Sequence, residues 1–120
     1  MISFGEYQSI SSRTLSLLSE KEGLVMAAMG LCGESGEASE IIKKYVFHDH
    51  DLDRDKLRNE LGDILWYLAA MATVLDVSLE DIASENIAKL KARYPDVWDP
   101  ERSRNRDTID LAISRFEEQK

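Results

Sequence analysis

The sequence contains a single cysteine, Cys32, so no disulfide can form within the chain, and this cysteine count gives no information about secretion. From its helical position we expect Cys32 to be a small core or interface residue rather than a catalytic thiol. No apolar run approaches the roughly 20 residues that a membrane-spanning helix needs. The N-terminus, with an acid already at Glu6, lacks the basic-then-apolar order of a signal peptide. We therefore expect a cytoplasmic protein without a membrane partner.

Positive charge is also scarce. The chain has 15 Lys and Arg against 23 Asp and Glu, which gives a formal net charge of −8. This balance argues against nonspecific nucleic-acid binding, because phosphate backbones are bound through basic surfaces. A polyphosphate ligand would also be repelled unless metal ions and local basic groups intervene.

Strand signals, internal repeats and low-complexity segments are absent as well. The β-branched residues are scattered, and no hairpin turn pair lies between alternating runs. Helical periodicity instead predicts an all-α fold with a four-helix core and a short C-terminal helix, the bundle being completed by dimerisation. One domain is expected over residues 1–120, with the core motifs in 24–95 and a C-terminal arm and helix in 96–120.

The predicted helices cover residues 1–19, 24–47, 55–75, 78–94 and the segment that begins at 107. Residues 20–23 are expected to form a polar break, and residues 96–106 an irregular segment. Asp53 or Asp55 is the predicted N-cap of the third helix. Ser78 and Asp81 resemble a capping box at the start of the fourth.

Two short acidic motifs organise the chain. Glu34 and Glu37 form one pair and Glu60 and Asp63 the other, each spaced i and i+3. At about 100° per residue, the first acid of each pair falls within the apolar stripe of its helix, and the second falls at the edge of that stripe. Four carboxylates from two helices are therefore expected to meet on the side that should be buried.

A buried ionised carboxylate needs a partner, since without one it costs several kcal/mol or becomes protonated. No Lys or Arg lies centrally in either stripe, although Lys56 lies beside the second one. Hard divalent cations are the natural partners, because Mg²⁺ and Mn²⁺ prefer carboxylate and water oxygens. The alternative is that an acidic chain contains such pairs by chance on solvated faces.

The second predicted helix carries three glycines, Gly30, Gly33 and Gly36. Each costs roughly 1 kcal/mol relative to Ala in a helix interior. Close approach of another helix or of a ligand would offset this cost. Gly30 and Gly33 project to the carboxylate side, where a larger side chain would crowd a metal site.

Basic and amide groups share one flank of the fourth helix. Asn86, Lys89 and Arg93 could together clamp phosphate oxygens, Arg through its fork of donors and Lys as a point charge. The alternative is that basic residues near a helix C-terminus favour the helix dipole.

Two other charged groups have no assigned role. Arg102, Arg104 and Arg106 could reach a triphosphate, a neighbouring subunit or the acidic body of the same chain. His48 and His50 lie in a polar loop, where they are either solvated or part of a metal-binding tract.

The segments GESGEASEIIKK, NELGDILWYLAAMA and ENIAKLKARYP, in this order, resemble the MazG-like nucleotide pyrophosphohydrolases of the all-α NTP pyrophosphatase superfamily, in particular the small phage and integron-type members. The family pattern is EExxE followed by ExxD. Glu34 and Glu37 match the last two acids of the first element, and Glu60 and Asp63 match the second. Gly33 replaces the first Glu. Lys89 and Arg93 match a phosphate-contacting element, and Lys56 lies where the family often has a lysine.

The resemblance implies hydrolysis of a nucleoside triphosphate to the monophosphate and pyrophosphate with Mg²⁺ or Mn²⁺. Glu34, Glu37, Glu60 and Asp63 would hold the metal, and Glu34 or Glu37 would be the catalytic base. The substrate-binding residues would be Lys56, Trp66, Tyr67, Asn86, Lys89 and Arg93. Trp66 and Tyr67 would wall the base pocket or are ordinary core aromatics, and Tyr67 is the better-placed of the two.

Three alternatives remain at the level of sequence. Phosphoribosyl-ATP is a second substrate class within the same superfamily. A catalytically silent helical dimer could bind a nucleotide or protein. A di-iron or di-manganese oxidation bundle is disfavoured, because neither helix supplies the histidine of a Glu-x-x-His pair. The resemblance also implies a homodimer or a tetramer of paired dimers.

Overall fold

The computed structural model describes residues 1–119, which form six α-helices and one 3₁₀ helix. The α-helices are α1 (Phe4–Ser11), α2 (Glu20–Phe47), α3 (Arg54–Val74), α4 (Leu79–Arg93), α5 (Pro100–Arg104) and α6 (Arg106–Glu118), and the 3₁₀ helix is Ser12–Leu15. No strand occurs in these residues. The predicted all-α fold is confirmed.

The N-terminal segment differs from the expected single helix over residues 1–19. Two capping boxes divide it: the Ser3 hydroxyl accepts from the Glu6 backbone N–H at the start of α1, and the Ser19 hydroxyl accepts from Glu22 at the start of α2, both at 3.2 Å. The predicted polar break over residues 20–23 was wrong, because Glu22 completes the second capping box. These four residues form the first turn of α2.

The two long helices α2 and α3 pack against each other and carry both acidic motifs. Asp53 caps α3 by accepting from the Lys56 backbone N–H at 2.9 Å, as one of the two predicted caps. The buried hydrophobic side chains are few and mostly small: Ala27, Ile41, Ala69, Ala70, Ala72 and Leu79. The core is modest, as expected for this length.

The close contact between α2 and α3 occurs at Gly30. A Cβ atom built at Gly30 would lie 2.3 Å from the ring of Tyr67, so any other residue there would require the ring to move. Nothing lies within 4 Å of a Cβ at Gly33 or Gly36. The expectation that helix approach offsets a glycine therefore holds for Gly30. At Gly33, an added Cβ would meet no other atom within this distance.

The first helix is fixed to the end of α3 by one polar side chain. The Gln8 amide donates to the Val77 carbonyl at 2.8 Å and accepts from the Leu79 backbone N–H at 3.0 Å. Gln8 thus satisfies backbone groups at the α3–α4 connection and holds α1 beside it.

The C-terminal segment is more helical than expected. Residues 96–106 were predicted to be irregular, but Pro100–Arg104 form α5 because Asp99 caps this turn and Pro100 occupies its first position. The closing helix α6 begins at Arg106, one residue earlier than expected.

The chain separates into two compact units, one from Met1 to Glu80 and one from Asp81 onward. The single domain over residues 1–120 stays a prediction. Among the described residues, no single helix is long and apolar enough to span a membrane. The successive helices α3 and α4 meet that criterion together, by length and composition only, as a bent pair. Cys32 is exposed, so its assignment to the core was wrong, while an interface position stays a prediction.

Candidate metal-binding site

Three of the four predicted carboxylates come together in the first unit. Glu34 and Glu37 of α2 and Glu60 of α3 each offer an oxygen, and these oxygens lie within 4.8 Å of one another. Glu60 is buried, Glu34 is partly exposed and Glu37 is exposed. This gradient follows the helical period, which places the first acid of each motif in the apolar stripe and the second at its edge.

Asp63 lies one turn beyond Glu60 and is exposed. It is not part of the group of three, yet its charge acts on the same site. Burial raises the pKa of Glu34, and the charges of Glu37, Asp63 and Glu60 and a hydrogen bond with Glu60 raise it further. Four acids therefore share one field, in which negative charge is unfavourable until a cation arrives.

This donor set fits a hard divalent cation. Every candidate ligand is a carboxylate oxygen, and no sulfur or imidazole belongs to the group. Oxygen-only donors are typical of Mg²⁺ and Mn²⁺ sites. The raised pKa of Glu34 supports this assignment, because a bound cation would relieve the repulsion that raises it.

Tyr7 of α1 contacts this site and was not identified from the sequence. Its phenol donates to the Gly62 carbonyl at 3.4 Å, and its ring meets the Trp66 ring edge-on, with centroids 6.0 Å apart. Burial and the charge of Asp63 raise the pKa of Tyr7. No local signal in the sequence connects Tyr7 to an acid in α3.

The two predicted base-pocket aromatics follow Asp63 along α3 and have protein neighbours. Trp66 packs against Tyr7, and Tyr67 covers the backbone of α2 at Gly30. Both rings are partly exposed. Their role toward a base stays a prediction.

A groove of about 370 Å³ includes one of the clustered acids. Its lining combines acids, two lysines and one histidine: Glu37, Glu40, Ile41, Lys44, His50, Asp51, Asp53 and Lys56. The predicted substrate-binding Lys56 therefore shares a groove with Glu37. His50 also lines this groove, whereas His48 is exposed and does not.

The remaining predicted substrate residues belong to the second unit. Lys89 and Arg93 line one groove of about 430 Å³ together with Asp110 of α6. Asn86 is exposed and does not line this groove. Arg93 is paired: its Nε donates to Asp110 Oδ1 at 2.6 Å, and its Nη2 donates to Asp110 Oδ2. No local pattern in the sequence connects Asp110 to Arg93.

The basic run of the C-terminal arm has one clear structural role. Arg102 donates to the backbone carbonyls of Arg93 and Ala92, at the C-terminal end of α4. Arg104 and Arg106 are exposed, and the charge of Arg106 helps to lower the pKa of Asp110.

Comparison with known proteins gives one family and one relative. The family model for the MazG nucleotide pyrophosphohydrolase domain matches residues 24–98. The "Gene 37 protein" of Mycobacterium phage L5 is 43% identical over 77 residues, which cover 60% of this chain and 67% of that protein. No solved structure matches the chain significantly.

Proposed function

The chain belongs to the MazG nucleotide pyrophosphohydrolase family, and from this premise we propose that it hydrolyses a nucleoside or deoxynucleoside triphosphate to the monophosphate and pyrophosphate with Mg²⁺ or Mn²⁺. The observation that carries the proposal is the group of three carboxylates within 4.8 Å, inside the matched residues. Family membership supports pyrophosphohydrolase activity in general. The substrate and the metal are our proposals.

We assign Glu34, Glu37, Glu60 and Asp63 to the metal. When bound, a divalent cation supplies Lewis-acid chemistry, because it neutralises charge on phosphate oxygens and makes water a better nucleophile. These four acids come two from each helix, so the packing of α2 against α3 would preorganise the site before substrate arrives.

The reaction is attack of water on the α-phosphorus. One bond forms between the water oxygen and phosphorus, and the bond to the bridging oxygen of the leaving pyrophosphate breaks. Glu34 or Glu37 is the proposed acceptor of the proton that water loses. Protonation of a carboxylate in this acidic group also lowers its net negative charge.

The other proposed contacts are cationic or aromatic. Lys56, Lys89 and Arg93 bind phosphate oxygens, and Asn86 orients sugar or phosphate. Trp66 or Tyr67 borders the base. In the first unit, Lys56 and Glu37 line the same groove, which supports assigning both to one substrate.

We further propose that the chain is a homo-oligomer. On α2, Val25, Met29, Gly33 and Gly36 lie within one sector of the helix, about 100° to 180° from Glu34 by the helical period, and Gly33 is the nearest of the four to the acids. All four are exposed, and the relative exposure of Met29 is 71%. We call these four residues the outer face of α2. Its two open glycines would let another helix approach closely.

Release of pyrophosphate from a panel of ribo- and deoxynucleoside triphosphates and phosphoribosyl-ATP, with and without Mg²⁺ or Mn²⁺, tests the activity. We expect metal-dependent release from at least one nucleoside triphosphate. Glu37→Gln and Asp63→Asn should each lower turnover by about 100-fold or more, since even partners of metal ligands are worth 10–100-fold. Helical content by circular dichroism should be unchanged.

Asp55→Asn is the matched control on α3. Its carboxylate is exposed, pairs with Arg58 and lies outside the acidic group. Wild-type turnover in Glu37→Gln or Asp63→Asn would remove that residue from the site. Absence of pyrophosphate release from every nucleotide would favour the catalytically silent alternative, and release from phosphoribosyl-ATP alone would favour the second substrate class.

A further inference from the structure

We propose that Asp110 is a positioning residue that holds the guanidinium of Arg93 in the orientation needed to bind a phosphate group. The inference rests on the proposed function, in which Arg93 is a phosphate ligand. It assigns a role to α6, which lies outside the matched residues 24–98.

The two hydrogen bonds to Asp110 use one edge of the Arg93 guanidinium. Asp110 accepts from Nε at 2.6 Å and from Nη2, so it uses the side-on edge of the guanidinium. Arginine has five N–H donors in a rigid plane. The remaining Nη2–H and one Nη1–H point the same way and form a second fork, which matches two oxygens of a phosphate.

The pair is also constrained by its surroundings. The Arg93 side chain has a relative exposure of only 17%, and that of Asp110 is 37%. Asp110 holds the pKa of Arg93 above its usual value, and Arg93, with smaller contributions from Arg106 and Lys89, lowers the pKa of Asp110. A long side chain that would lose rotamer freedom on binding phosphate has already lost it in the free protein.

A second cation lies on the same groove. Lys89, one helical turn before Arg93, lines the groove of about 430 Å³ together with Arg93 and Ser114. Two cations and a hydroxyl form a donor set for a phosphate group. Two further acids besides Asp110, Glu85 and Glu117, also line the groove.

The backbone beneath Arg93 is held as well. Arg102 donates to the carbonyls of Arg93 and Ala92, which belong to the last turn of α4. The residues after 98 therefore fix both the main chain and the side chain of Arg93. The C-terminal arm thereby holds Arg93, one of the proposed phosphate-binding residues, in place.

The alternative is that Asp110 occupies Arg93 in place of substrate and must be displaced. The two readings predict opposite signs. A positioning residue, when neutralised, raises KM, because the guanidinium becomes mobile. A competing anion, when neutralised, lowers KM, because it no longer has to leave.

The test compares Asp110→Asn, Asp110→Glu and Arg93→Ala with Glu118→Gln, an exposed acid on α6 that does not line the groove. We expect Asp110→Asn to raise KM about tenfold with kcat nearly unchanged, the scale of one hydrogen bond to a charged group. Asp110→Glu should recover part of the loss, and Glu118→Gln should match the wild type. In the Arg93→Ala background, Asp110→Asn should add nothing further.

Calorimetric titration of wild type and variants with Mg²⁺-pyrophosphate separates this inference from the proposed function. If no nucleotide is hydrolysed, the proposed function fails, but a weaker pyrophosphate affinity in Asp110→Asn still supports the positioning role. A lower KM or tighter pyrophosphate binding in Asp110→Asn overturns it. A reduced Tm with unchanged KM and affinity also overturns it, because Asp110 would then be structural only.

Discussion

At Glu34, the requirements of the acidic site and of the folded state oppose each other. Burial and three neighbouring acids raise the pKa of its carboxyl. The folded chain therefore holds that proton more tightly than the unfolded chain does. For such a group, stability is lost as pH rises from the unfolded pKa, about 4.3 for Glu, through the higher folded value. At neutral pH without metal, Glu34 destabilises the fold.

Neutralising this side chain should therefore stabilise the metal-free protein. In EDTA at pH 7, we expect Glu34→Gln to raise Tm above the wild type, since the amide keeps a donor toward Glu60 and removes one negative charge. At pH 4 and below, the difference should shrink. Addition of Mg²⁺ should raise the Tm of the wild type more than that of the variant. A lower Tm for Glu34→Gln in EDTA at pH 7 would contradict this account.

Glu34 also shows what the sequence could predict at this scale. The i, i+3 spacing and the helical period were sufficient to predict that acids of α2 and α3 face one another. They could not place Tyr7 against Gly62, or Asp110 against Arg93. Those partners are separated by 55 and 17 residues, and neither pair leaves a local pattern.

At the scale of elements, the sequence predicts a helix end correctly where a single capping residue determines it. Asp53 caps α3, as anticipated. The predicted start of α2 was wrong because the charged run Glu20, Lys21 and Glu22 was interpreted as a solvent-exposed break between helices. These residues are helical because Ser19 caps them. The Ser19 backbone N–H donates to the Glu22 carboxylate, and the Ser19 hydroxyl accepts from the Glu22 backbone N–H. The capping pair decides the boundary there.

The packing of α2 on α3 should be sensitive to one atom at Gly30. In Gly30→Ala, the new Cβ would meet the Tyr67 ring at 2.3 Å, so the ring has to move. Overpacking of this kind costs about 1–3 kcal/mol, against a gain of about 1 kcal/mol from helix propensity. We expect the variant to be neutral to about 2 kcal/mol less stable in urea unfolding at fixed protein concentration, with altered Tyr67 resonances in NMR spectra.

Gly36→Ala is the matched control on the same helix. No atom lies within 4 Å of its added Cβ, so in a single chain it should gain up to about 1 kcal/mol. The packing explanation would be wrong if Gly30→Ala were as stabilising as Gly36→Ala.

At the scale of the whole molecule, the outer face of α2 carries the expectation of self-association. Val25 and Met29 are exposed beside two glycines in a chain whose buried hydrophobic residues are few. Contact with a second copy would remove this apolar surface from water. Helical periodicity identifies such an apolar face, but it does not identify the partner that binds there.

The mass in solution tests this expectation. Light scattering after size-exclusion chromatography should give two or four times the chain mass of 13.6 kDa. Met29→Glu, which places a charge on the outer face of α2, should lower that mass. Ser84→Glu, at an exposed position of α4, is the control. A wild type that elutes at the mass of one chain would refute the self-association proposal.

All three clustered carboxylates come from one helical hairpin, α2 followed by α3. The pairing of these two neighbouring helices is sufficient to bring the three acids together. The flanking segments, α1 before it and α5 and α6 after it, contribute none of these three acids. A substitution in those flanking segments therefore changes none of the three clustered carboxylates.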